Sequence, residues 1–153
     1  MLRSQLNDAL KKAVLAKDAC SVTTVRLILA ALKERDIAAR SDGNTDGISD
    51  DEIISLLQAM VKQRRESIEM YTKGNRPELA EQEAKEIEVI EEFLPRKLDD
   101  KEVSAAIDAA VAEVGASSIR DMGKVMGALK ARHTGQMDFG AVGSQVKARL
   151  AQG

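Results

Sequence analysis

Glu83 and Glu86 stand one helical turn apart in "ELAEQEAKEIEVIEEF" (78–93), a stretch with seven glutamates against one lysine. Two carboxylates so placed could do acid–base work if a cleft perturbed their pKa values. They could equally pair with Arg64 or Arg65 of "KQRRESIEMY" (62–71) and fix the register of a helical hairpin. The other groups able to do chemistry are isolated. Cys20 is the only cysteine and His133 the only histidine. They form a nucleophile pair only if the two halves of the chain bring them together, and neither has a motif around it. His133 falls at a predicted helix end, where a cationic side chain is favoured. Gly123-Lys124 lacks the upstream glycine, the following Ser/Thr and the preceding strand of a phosphate loop. No zinc, HExxH or GxSxG pattern occurs. The residues imply no cofactor and no metal, and no catalytic equipment of the chain's own.

A second constellation is "DMGKVMGALK" (121–130). Gly123 and Gly127 share one helix face, although each glycine costs a helix about 1 kcal/mol relative to alanine. Two outcomes are open. The face packs closely on a neighbouring helix, with Gly143 as a matching flat spot, or it is an exposed notch. A notch lined by Lys124, Lys130, Arg132 and Lys147 would let an RNA backbone approach the helix.

These residues need elements to carry them. Apolar residues recur at helical spacing throughout and period-two alternation is nearly absent, which predicts an all-α chain. Seven helices are predicted, over about 2–17, 22–39, 49–73, 76–94, 99–114, 118–133 and 138–150. Ser49 with Glu52, and Asp99 with Glu102, read as capping boxes. Met137 and Val142 are placed as a hydrophobic staple around Asp138. The polar loop "RSDGNTDGIS" (40–49) is expected to be the most mobile segment. The third and fourth helices form an antiparallel hairpin about Gly74–Asn75, with Gly74 expected to terminate the third. Pro95 forbids continuation of the fourth helix. It divides an N-terminal helical domain, 1–94, from a small three-helix C-terminal domain, 95–153.

The bulk composition agrees. Only 2% of the 153 residues are aromatic, so Leu, Ile, Val, Met and Ala must fill the core, which favours packed helices. The net charge of −2 hides a division: residues from Gly115 onward sum to +4 and those before it to −6. A single cysteine suits a reducing compartment. The first residues are charged throughout, and the longest aliphatic run, "LILAAL" (27–32), is far short of a membrane span. The expectation is a soluble cytoplasmic protein with no membrane partner.

The last third, "DMGKVMGALKARHTGQMDFGAVGSQVKARL" (121–150), closely resembles the C-terminal signature of the GatB/YqeY family. "TVRLILAALKERDI" (24–37), "KQRRESIEMY" and "EIEVIEEFLPRKLDDKEV" (86–103) resemble the free-standing YqeY proteins. The resemblance implies a helical domain followed by a tail shared with the B subunit of the tRNA-dependent amidotransferase. There the tail contacts tRNA, while catalysis lies in a separate cradle domain and a glutaminase subunit. The family label implies carbon–nitrogen ligase activity with glutamine as amide donor. On this reading the chain is not catalytic alone. The implied partners are tRNA and components of amidotransferase or aminoacyl-tRNA synthetase complexes. Three functions stand: a tRNA-binding accessory module, an amidotransferase-linked protein, and a protein-interaction adaptor using the acidic hairpin. Phe139 stacks on a base if exposed and belongs to the core if buried.

Overall fold

The computed structural model describes residues 1–152 and is all-α. Seven α-helices occur among the described residues: α1 (Leu2–Leu15), α2 (Ala19–Ser41), α3 (Asp50–Lys73), α4 (Pro77–Glu91), α5 (Asp100–Val114), α6 (Met122–Arg132) and α7 (Phe139–Gln152). A 3₁₀ turn, Ile119–Asp121, precedes α6. The helices form two compact units, Met1–Leu94 and Pro95–Gly153, each with its own core.

In the first unit Leu6, Ile28, Ile53, Leu57 and Ile90 are wholly removed from water. Burial of each such aliphatic side chain contributes about 1.5–3 kcal/mol. The residues come from all four helices, so the core holds α1 and α2 to the α3–α4 hairpin. Val14 and Leu79, each near a helix end, are exposed.

The helix ends show which local forces decide. Ser49 and Glu52 close their capping box with bonds of 3.2 and 3.3 Å. α2 starts earlier than expected, at Ala19. Asp18 caps it by accepting from the Ser21 backbone N–H at 3.2 Å and the Ser21 hydroxyl at 2.7 Å. α4 ends at Glu91 rather than Leu94, since Phe93 and Leu94 tighten into a turn that donates to Ile90 and Glu91 carbonyls. In the hairpin turn the left-handed residue is Asn75, at φ 58°, and not Gly74. Asparagine tolerates that conformation better than other residues with a Cβ.

The 40–49 loop is held rather than loose. The Arg3 guanidinium grips the Asp36 carboxylate with two bonds of 2.5 and 2.6 Å and donates to the Ile48 carbonyl at 3.0 Å. The Ile48 N–H returns a bond to Asp36 at 2.9 Å. Gly47 is required here, because its φ is +92° and a Cβ would lie 2.5 Å from Arg3 Nη2. The hydrogen bond from Arg3, with its charge, holds the Asp36 carboxyl below the usual carboxylate range.

The second unit packs Ile107 of α5, Val125 and Leu129 of α6 and Val146 of α7 into its core. Asp99 and Glu102 cap α5, and Arg96 grips Glu102 at 2.7 and 2.9 Å. Those bonds, Arg96 first, lower the Glu102 carboxyl to about 2. Met137 and Val142 are both buried across the start of α7, where Asp138 accepts from the Gly140 N–H at 3.0 Å.

Candidate nucleic-acid interface

α6 carries the two glycines in question. Val125 and Leu129 face the core, with Met122 and Met126 partly buried beside them. At about 3.6 residues per turn the opposite face is Gly123, Gly127 and Ala131, all three exposed. A Cβ built on Gly123 or Gly127 would meet no atom within 4 Å. The close-packing outcome is therefore excluded for this pair. Helix packing uses the third glycine: Gly143 of α7 lies under the terminal methyls of Met122 and Met126, 3.7 and 3.9 Å from where its Cβ would stand. Gly123 and Gly127 form a bare strip, and Ala131 extends it by a turn. Alanine carried no signal in the sequence, so that extension was missed.

The cations divide on inspection. Helical spacing puts Lys130 along one margin of the strip and Lys124 along the other. Both are exposed, and neither has an ion-pair partner among the described residues. Arg132 departs from the expected lining. It lies toward α5 and pairs with Glu113, because its position follows the core-facing Leu129 rather than the glycines. Lys147 is exposed on α7, with no hydrogen bond or ion pair tying it to the strip. Arg149 pairs with Asp108.

Asp121 precedes α6 without capping it. The Asp121 carboxylate accepts from the Ser117 and Ser118 N–H groups at 3.0 and 3.4 Å, which holds its pKa down, with Lys124 adding a smaller charge effect. At the other end, the His133 Nδ1 lies 3.1 Å from Gln136 Oε1 and its N–H closes on the Leu129 carbonyl. This is a local cap. Cys20 is half-buried at the start of α2, in the first unit, and His133 lies in the second. Phe139 is partly buried and packs against the second core.

The paired carboxylates take the structural role. Arg64 is buried, and its Nε donates to Glu86 at 3.0 Å, with Glu83 at 4.0 Å. Arg65 reaches neither of them; one position further round α3, it bonds Glu91 at 3.2 Å. Glu83, left with the weaker contact, is raised above the usual carboxylate range, first by burial and then by the Glu86 charge, with Arg64 opposing.

The family profile described as Yqey-like protein matches residues 3–150. The chain belongs to the YqeY family. Curated relatives of this YqeY chain carry the name "Altered inheritance of mitochondria protein 41, mitochondrial". The protein of Lachancea thermotolerans is 34% identical, over 72% of this chain and 56% of its own length. That of Eremothecium gossypii is 35% identical, over 72% and 60% respectively. That of Saccharomyces cerevisiae is 29% identical, over 76% and 64%. The YqeY chain thus spans between 56% and 64% of the length of these relatives. Their names place them in mitochondria, which overturns the cytoplasmic expectation. That expectation rested on one cysteine, the charged first residues and the short aliphatic run, and a lone thiol indicates a reducing environment without saying which compartment supplies it.

Proposed function

We propose that the C-terminal unit is an RNA-binding module, with tRNA as its RNA, that contacts the sugar-phosphate backbone along α6. The observation that carries this reading is the side-chain-free strip of Gly123 and Gly127, open to solvent between two unpaired lysines. Two glycines weaken the helix without giving any packing in return. Close approach of a ligand backbone is the use that needs them. The excess of +4 from Gly115 onward supplies attraction in a chain that is acidic elsewhere. The resemblance of this segment to the tail of the amidotransferase B subunit points the same way. Contacts to backbone and shape suffice for RNA and require no base-reading code.

Filter binding of tRNA over a salt series tests the proposal. Affinity is modest and falls steeply with salt. Lys124→Ala weakens binding and flattens the log–log slope by about 0.7–0.9, the signature of one lost phosphate contact. Gly127→Leu weakens binding while the helical signal is unchanged. Absence of salt-dependent binding at low ionic strength overturns the proposal, as does full tRNA affinity in Gly127→Leu. Glutamine hydrolysis by the purified chain, lost on changing Glu83 or Cys20, would instead favour the amidotransferase-linked reading.

A further inference from the structure

The first unit carries a feature that this reading does not use. A groove of about 270 Å³ runs between α1 and α2, lined by Arg3, Leu29, Lys33, Asp36, Ile37 and Arg40 among others. Residues 1–94 hold 14 Lys/Arg against 18 Asp/Glu, a net charge of −4, yet this groove gathers three cations around one carboxylate. That carboxylate is already committed. Asp36 takes both Arg3 bonds and the Ile48 N–H. Lys33 and Arg40 are exposed, and neither has an ion-pair partner among the described residues. Between them lies Ile37, an aliphatic side chain left 51% exposed, with partly buried Leu29 one row behind it.

The spacing defines a partner. Lys33 and Arg40 are seven positions apart on one face of α2, two turns or about 10 Å along the axis. Ile37 sits four positions after the first and three before the second. A helix presenting carboxylates seven positions apart with an aliphatic residue between them complements all three at once. We infer that the α1–α2 groove is a docking site for an acidic amphipathic helix of a partner protein. An RNA backbone fits worse, because it would leave Ile37 uncovered. The surface lies in the other unit from the α6 strip, so it stands or falls independently of RNA binding.

The test uses the full chain and a fluorescein-labelled, alanine-based helical peptide carrying Glu-x-x-x-Leu-x-x-Glu, read by anisotropy and by amide NMR shifts. The expected result is saturable binding, with shifts concentrated on Lys33–Arg40 and Arg3. Lys33→Glu combined with Arg40→Glu weakens it about tenfold or more, and Ile37→Asp does likewise. The doubly reversed variant gains affinity for the same peptide bearing lysines in place of the glutamates. All three substituted side chains are exposed, so the fold persists. No saturable binding by ~1 mM peptide overturns the inference. So does equal binding of the glutamate and lysine peptides, or a shift pattern centred elsewhere. A fall in tRNA affinity in the Lys33→Glu/Arg40→Glu variant would reassign the groove to RNA, whereas loss of tRNA binding in Lys124→Ala alone leaves the groove untouched.

Discussion

Arg64 shows how one buried charge organises a helical hairpin. Its guanidinium can serve only one of two neighbouring carboxylates well, and it serves Glu86, at 3.0 Å against 4.0 Å for Glu83. Truncating Glu86 leaves Arg64 buried without its main partner, so Glu86→Ala should cost about 2–3 kcal/mol in chemical denaturation. Glu83 behaves oppositely. Its folded pKa is raised above the unfolded value near 4.5, so the folded state binds its proton more tightly than the unfolded state does. Ionised Glu83 therefore opposes folding at neutral pH, and that opposition fades as pH falls through the raised value toward 4.5. Glu83→Gln should raise the melting temperature at pH 7, with the gain shrinking on acidification and gone below about pH 4. A gain that persists unchanged at low pH would show that charge is not its cause.

At the scale of single elements, α6 carries a cost that stability alone does not explain. Gly123→Ala and Gly127→Ala should each stabilise the second unit by about 0.5–1 kcal/mol, because the added methyl meets open space and the helix gains propensity. Thermal melts of the full chain test this, and destabilisation by either change would mean that the strip is covered. The helices themselves were legible in the sequence wherever a cap announced them: Ser49 with Glu52, Asp99 with Glu102, and Asp138 each bond as the spacing required. Two features of helix ends that no such signal announced were missed. Asp18 capping α2 was overlooked, and the left-handed turn fell to Asn75 instead of the adjacent glycine. The candidate site was half legible. Its glycines and lysines could be named from spacing. Which glycine faces a neighbour depends on how α7 approaches α6, and Arg132 was lost to Glu113 through the register of α5, which no local pattern encodes.

At the scale of the whole molecule, two cores without a shared residue should respond separately to damage. Leu57 belongs to the first and Ile107 to the second. Either truncation to alanine should cost about 2–5 kcal/mol. In calorimetry of the full chain, Leu57→Ala should shift one component of the melting profile and Ile107→Ala the other. A single transition moved equally by both would show that the units unfold as one. The division of charge follows the same line, since the segment with excess lysine and arginine lies wholly in the second unit. The mild overall acidity is a sum over two surfaces with different electrostatic character.

The Arg3–Asp36 clasp has a consequence for the order of events in folding. The hairpin ion pair joins residues 22 positions apart, whereas the clasp joins α1 to residues 33 and 45 positions away. Short loops close at lower entropic cost, so the α3–α4 hairpin can form while α1 is still free. The expected order has α1 docking late, with its departure the first opening available to the folded unit. Native-state hydrogen exchange should accordingly show α1 amides protected by a smaller opening free energy than those of α3. Arg3→Ala should lower the α1 value further and leave α3 nearly unchanged. Equal protection in the two helices would make the first unit a single cooperative block.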